Sequence, residues 1–212
     1  IKGNNIDGNK FCKEAIKKGS KIIISENVKE GYKNNILYLK NKNPRKVLAD
    51  FASKINYQRP NNLIAVTGTN GKSSIANFYF QILKLNKKKV ASIGTLGISG
   101  INYKKIYLNT TYDPIQLNKI LKILKKKNIN NVILEASSHG LKQSRLEGLK
   151  FNLGIFTNLS RDHLDYHKTF KDYFNSKLIL FRKLMKKNSI IIFDRDLKIA
   201  KKIKKISKNK NL

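Results

Sequence analysis

The stretch Ala65-Val66-Thr67-Gly68-Thr69-Asn70-Gly71-Lys72-Ser73-Ser74 limits what this chain can fold into more than any other. An apolar run, Leu63–Val66, reads as a strand. Ile75, Phe78, Tyr79 and Ile82 then recur at the spacing of one helix face. A strand, a glycine turn and a helix opening on Lys-Ser form a phosphate cradle. The backbone N–H groups of the turn and the helix N-terminus point at an anion. Lys72 would reach the outer phosphates and the Ser73 hydroxyl would ligate Mg²⁺. The spacing is G-x-x-G-K-S, shorter than the general G-x-x-x-x-G-K-[ST], because Val66 stands where the first glycine would be.

Around this loop, strand-like and helix-like segments alternate, which predicts an α/β fold with a largely parallel sheet. Residues 9–18 read as a short helix, and Ile22–Ile24 and Ile36–Leu39 as short strands. Pro44 opens a helix to about Asn56, with Val47, Leu48, Phe51 and Ile55 on one face. The polar stretch Tyr57–Asn62 reads as a linker, dividing the chain into 1–60 and 61–212. In the second part Val90–Ile93 is a strand, followed by a glycine-rich hairpin-like stretch to Tyr107. Asp113-Pro114 caps a helix whose apolar face is Leu117, Ile120, Leu121 and Leu124. Val132–Leu134, Leu153–Thr157 and Ser189–Phe193 read as strands, and Phe170–Met185 as one long helix. The Lys/Asn-rich tail from 201 is expected to fray.

Composition narrows the function classes. The single cysteine, Cys12, rules out a disulfide framework and favours a reducing, cytoplasmic setting. No apolar run approaches the roughly 20 residues that span a bilayer, so no membrane partner is expected. Lys+Arg is 45 against Asp+Glu 13, a formal charge of +32. Such a charge invites a nucleic-acid reading. Only six of the basic residues are Arg, however, and the Lys clusters 87–89, 125–127 and 201–205 sit at helix ends or in the tail. This is the pattern of solvated lysine faces, so no nucleic-acid partner is expected. The chain opens at Ile1 without a start Met and ends in Ser-Lys-Asn-Lys-Asn-Leu212. A piece of a longer protein is the expectation.

Ligands of open parallel sheets bind at the carboxyl ends of strands. Two polar clusters fall there: Glu135-Ala-Ser-Ser-His139-Gly140, and Thr157-Asn-Leu-Ser-Arg-Asp-His163-Leu-Asp-Tyr-His167. Glu135 is placed to hold Mg²⁺ directly or through water. His163 and His167 are four apart, but His139 is the only other histidine and no full zinc set is visible. His163 is expected as a single Mg²⁺ ligand, and His167 as a surface or capping residue. Lys177 shares a helical face with Phe170, Tyr173, Phe174, Leu178 and Phe181. Spacing alone favours a lysine snorkelling at the edge of that stripe. The other reading is a buried, neutral, nucleophilic amine.

Taken together, these motifs resemble the Mur ligase family, and within it the branch that adds the third amino acid of a peptidoglycan precursor. The resemblance rests on Thr67–Ser74, Leu108-Asn109-Thr110-Thr111, Glu135–Arg145 and Phe156–His167, and covers most of the chain. Ile6-Asp7-Gly8 and Pro44-Arg45-Lys46 resemble the end of the family's UDP-binding domain. Ser73-Ser74 stands where many members have Thr-Thr, and both keep the hydroxyl.

The resemblance implies a P-loop-type parallel-sheet domain that binds ATP (61–212), preceded by part of a smaller α/β UDP-binding domain (1–60). Gly68, Thr69, Asn70, Gly71, Lys72, Ser73 and Ser74 would hold ATP. Ser73, Glu135 and His163 would hold Mg²⁺. Asn109, Thr110, Thr111, Ser137, Gln143 and Arg145 would bind the UDP-N-acetylmuramoyl dipeptide. Lys177 matches the lysine that is carbamylated in the family, and it joins Lys72 and His163 as a catalytic residue. The implied reaction activates a carboxylate as an acyl phosphate, which the amine of an amino acid attacks. A C-terminal domain would be absent, and the 212 residues alone are expected to be inactive and monomeric. Two alternatives remain: another Mur ligase or a folylpolyglutamate synthase, and a basic P-loop NTPase that binds nucleic acid.

Overall fold

Short apolar runs ending in polar turns form the strands of two separate units in the computed structural model, which describes residues 1, 3, 6–103 and 109–210. The units are Ile1–Leu48 and Ala49–Leu212. In the first, a 3₁₀ turn and helix α1 (Cys12–Lys17) precede β1 (Ile22–Ser25), β2 (Gly31–Lys33) and β3 (Ile36–Lys40). The sheet order is β1-β3-β2, with β1 parallel and β2 antiparallel to β3. β2 is exposed along its whole length and has no apolar alternation, so nothing in its sequence announces a strand. Helix α2 (Pro44–Ile55) runs across the point where the units divide.

In the second unit the strands are β4 (Asn62–Thr67), β5 (Val90–Gly94), β6 (Gly97–Ser99), β7 (Asn131–Glu135), β8 (Phe151–Phe156) and β9 (Met185–Phe193). Their order is β6-β5-β7-β4-β8-β9, and only β6 is antiparallel to its neighbour. The chain starts at the central strand, β4, then fills one side with β5 and β7 and the other with β8 and β9. β4 therefore sits at the topological switch point, where a crevice opens at the carboxyl ends. Val66 pairs with both Glu135 and Ile155, so the loops after three strands leave the same edge together. The helices are α3 (Lys72–Leu85), α4 (Pro114–Lys126), α5 (Ser138–Lys142), α6 (Leu164–His167), α7 (Phe170–Ile179) and α8 (Ala200–Lys210). This is the α/β, P-loop-type parallel sheet that the sequence implied. Among the described residues no helix is long and apolar enough to cross a membrane.

Several helix faces differ from expectation. Asp113 caps α4 as read, and Leu117, Ile120, Leu121 and Leu124 are buried. On α3, however, Ala76 faces the sheet against Ile64, Val66 and Ile133, while Phe78 and Ile82 are exposed. Ile75 and Tyr79 of the expected face do pack beside Ala76, so the helix is turned by part of a face from the stripe read in the sequence. On α2, Ala49, Ala52 and Ser53 are buried while Phe51 and Ile55 point outward. The long helix expected over 170–185 stops at Ile179, widens into a π-turn at Leu180–Leu184 and becomes β9 at Met185. The wider turn keeps Leu178, Leu180, Phe181 and Leu184 all in the core. The tail from 200 is helical, anchored by Ala200 and Ile203. The segment Tyr57–Asn62 carries Arg59, whose guanidinium donates to the Gly148 and Ser53 carbonyls at 2.6 Å each. Of the hairpin-like stretch to Tyr107, residues 104–107 lie outside the described residues, as does Leu108.

Candidate functional site

A cavity of about 320 Å³ opens at the carboxyl ends of β4, β5, β7 and β8. Its walls include Thr69–Ser74, Thr95, Thr110, Glu135, Ser137, Ser138, His163, Tyr173 and Lys177. The loop from β4 to α3 forms one side. Gly71 caps α3 in the left-handed region at φ 81°. Gly68 has φ 149°, and a Cβ there would stand 1.8 Å from the Thr157 hydroxyl, so no other residue fits. The loop after β8 clasps it: Asn158 Oδ1 accepts from the Asn70 N–H at 2.9 Å, and the Thr157 hydroxyl donates to the Asn70 carbonyl at 2.6 Å. The Thr69 hydroxyl accepts from Ser160 N–H at 3.0 Å and lies 3.0 Å from the Tyr173 hydroxyl.

Two lysines converge on this loop. Lys72 Nζ donates to the carbonyls of Gly68 (3.1 Å) and Thr69 (2.6 Å), and Lys177 Nζ donates to the same Gly68 oxygen at 2.6 Å. Lys177 is 1% exposed, so it does not snorkel; its ammonium sits 4.4 Å above the Tyr173 ring. Burial, and then the Lys72 charge, push its pKa down to about 7, against the pull of Asp162. Burial also lowers Lys72, with Glu135 and Asp162 opposing.

Opposite the lysines lies Glu135, 3% exposed. It accepts from Ser73 Oγ (3.0 Å), Thr95 N–H (3.0 Å) and Thr95 Oγ1 (3.2 Å). A Cβ on Gly94 would meet the Glu135 carboxylate at 2.1 Å, so the glycine makes room for the acid. His163 takes a left-handed backbone at φ 51° and is half-exposed, with Nε2 3.4 Å from Asp162 Oδ2. Among the described residues no three His, Cys, Asp or Glu side chains are grouped closely enough to hold a metal ion. Any ion here would draw on serine oxygen, water and phosphate besides Glu135 and His163. Such a donor set suits Mg²⁺, which keeps several waters and binds through one or two carboxylates plus phosphates.

The residues proposed for the dipeptide gather more loosely. Thr110 and Ser137 line the cavity. Thr111 is buried, with its hydroxyl donating to the Glu135 carbonyl and accepting from Ser137 N–H, at 2.9 Å each. Arg145 donates through Nε and Nη2 to Gln143 Oε1 and through Nη1 to the Thr111 carbonyl. Gln143 in turn donates to the Tyr166 hydroxyl at 3.1 Å. Asn109 is exposed.

His167 departs from expectation. It is 0% exposed, and burial, with Lys142 and His139, pushes its pKa down to about 4. Burial thus favours the neutral imidazole at pH 7 although its Nδ1 lies 3.6 Å from Asp172 Oδ2, a carboxylate that also pairs with Lys142. Thr95, Thr157, Asn158 and Tyr173 were not assigned a role from sequence. The strand-end rule applied to β5 would have found Thr95. The others contact the loop only through tertiary packing.

A family model described as the Mur ligase middle domain matches residues 66–212. The UDP-N-acetylmuramoyl-L-alanyl-D-glutamate--2,6-diaminopimelate ligase of Rickettsia montanensis is 39% identical over 216 residues, covering 100% of this chain and 45% of that protein. The protein of the same name from Clostridium tetani is 41% identical over 203 residues, covering 92% and 40%. A solved structure of a ligase of this name superposes with a TM-score of 0.77 at 30% identity, covering 94% of this chain and 40% of that one. FolC of E. coli in complex with ADP superposes at 0.59 with 16% identity over 79% of this chain and 45% of its own, a likeness of fold alone. The chain spans less than half the length of the curated relatives it matches.

Proposed function

This chain belongs to the Mur ligase family, and on that premise we propose that it is the ATP-binding middle portion, with part of the preceding domain, of a cytoplasmic ligase. The ligase adds the third amino acid to UDP-N-acetylmuramoyl-L-alanyl-D-glutamate. The name its relatives carry favours diaminopimelate as that amino acid. One observation carries the reading: a single cavity joins a phosphate loop, a buried carboxylate and a buried lysine of lowered pKa. The loop alone would serve a basic NTPase equally well, and the buried lysine beside it is what the ligase reading gives a role.

A carboxylate does not acylate an amine at neutral pH, so it must be activated. ATP would supply the phosphoryl group, and Mg²⁺ would shield its charge. Gly68–Ser74 would cradle the phosphates. Lys72 would leave the Gly68 and Thr69 carbonyls for the transferring group, where a fixed cation stabilises developing charge. Ser73, Glu135 and His163 would hold the ion. With its pKa lowered to about 7 by burial, Lys177 can give up its proton near neutral pH, and a free amine can add CO₂ with loss of a proton. The carbamate would be an anion in the cavity that Lys72, Ser73, Glu135 and His163 also line. Its remaining N–H could still donate to the Gly68 oxygen. Arg145 would leave Gln143 to pair with a substrate carboxylate.

The test uses the full-length protein that carries these residues. ADP release is followed with Mg·ATP and the dipeptide precursor, adding diaminopimelate or L-lysine in parallel. ADP that forms only with the precursor and one amino acid is the expected result. Release that ignores the precursor would refute the ligase.

A further inference from the structure

The buried imidazole of His167 touches three groups whose hydrogens can be assigned by accounting. Ser176 Oγ donates its only proton to the Asp172 carbonyl at 2.8 Å, so toward His167 Nδ1, 3.4 Å away, it can only accept. The Asp172 carboxylate, 3.6 Å from the same nitrogen, is also an acceptor. Nδ1 therefore carries the proton. In a neutral ring that leaves Nε2 bare. Nε2 lies 3.0 Å from Ser138 Oγ, so the serine hydroxyl is the donor of that bond. Ser138 is itself buried and belongs to the cavity wall. With its proton committed inward, its hydroxyl has only lone pairs left to offer.

We propose that His167 is a positioning residue that fixes Ser138 as an acceptor in the cavity wall for an N–H of the substrate. The proposal rests on the ligase reading, because both substrates of that reaction bring such a donor: the peptide N–H of the muramoyl dipeptide and the amine of the amino acid. The neighbouring Lys72 can only donate while charged, and the backbone of the phosphate loop presents N–H groups. Glu135, the carboxylate of the same wall, is engaged by Ser73 and Thr95 and is set aside for the ion, so Ser138 is the neutral acceptor left for a substrate N–H. His167 lies behind the wall, so it acts through Ser138 and does not touch the substrate.

Two measurements test this. The first is the ¹⁵N spectrum of His167 in the 212-residue chain. The expected tautomer has Nδ1 protonated and Nε2 bare, and in Ser138→Ala the Nε2 resonance moves while Nδ1 stays protonated. A protonated Nε2 overturns the proposal whatever the enzyme does. The second is steady-state kinetics of the full-length ligase. Ser138→Ala and His167→Phe are expected to raise one KM about tenfold, the loss of one hydrogen bond. The KM for Mg·ATP and kcat should stay within about twofold. His167→Gln, whose amide oxygen can still accept from Ser138, should recover most of the effect. A raised KM for the dipeptide precursor assigns the acceptor to its peptide N–H, and a raised KM for the amino acid assigns it to the amine. A fall in kcat with no KM change, or a rise in the KM for Mg·ATP alone, overturns the acceptor role. If the wild-type protein makes no amide at all, the function proposed above falls, and the N–H acceptor with it, while the tautomer is still decided by the spectrum.

Discussion

Replacing Lys177 with Met should remove a pH-dependent burden on folding. The amine sits at about 7 in the folded chain against 10.5 when exposed. Holding it charged in the core therefore costs up to about 5 kcal/mol. The sign follows from proton counting. Between pH 7 and 10.5 the unfolded chain keeps the proton and the folded chain has released it, so stability rises with pH across that window. Below pH 7 both states are charged and the full cost is present. From pH 6 to pH 9 the wild type should gain about 2–3 kcal/mol that Lys177→Met does not. The Met thioether fits over the Tyr173 ring, at the loss of the hydrogen bond to Gly68. The assay is urea unfolding of both proteins at several pH values in CO₂-free buffer, plotted as the difference between them. Groups that do not feel the Lys177 charge cancel in that difference, and His139 and Lys72, which do feel it, add only a smaller change. A difference that stays flat from pH 6 to 9 would refute the argument that burial depresses this amine.

Other expectations concern the loop. Gly68→Ala would drive a Cβ into Thr157 at a backbone angle that L residues avoid. Calorimetry should find Mg·ATP binding reduced at least tenfold, and no change in affinity would mean the loop relaxes freely. Tyr173→Phe removes the hydroxyl beside Thr69 and should cost about 1 kcal/mol in urea unfolding. A gain in stability would show that this contact is not favourable. Gly94→Ala would displace the Glu135 carboxylate and should weaken Mg²⁺-dependent protection of the chain by nucleotide, read as a smaller thermal shift.

Much was legible in order along the chain. The Gly-Lys-Ser turn, the Asp113-Pro114 cap and the apolar runs of β4, β7 and β8 are local signals, because turns, caps and strands answer to neighbouring residues. So the parallel sheet, the loop and the acid at the end of β7 could all be placed before any contact was known. Helix faces depend on more than local signals. Phe78 and Ile82 on α3 have the right spacing for a core, yet they are exposed, and Ala76 packs on the sheet with Ile75 and Tyr79 beside it. Periodicity reports that a face exists and leaves open which face the sheet accepts.

Burial decided the rest. Sequence spacing pointed to a snorkelling Lys177 and a surface His167. The packing of α5 and α6 against α7, and of α7 against the phosphate loop, puts both inside, next to groups far away in the chain. A charge on a surface and a charge in a core are the same residue type under different dielectric conditions, and only the tertiary structure sets that condition. Lys72 and Lys177 meet on one carbonyl oxygen, and Ser138 gives its proton to His167. These are facts of three-dimensional approach between residues 29 to 109 apart in sequence, which no local pattern encodes.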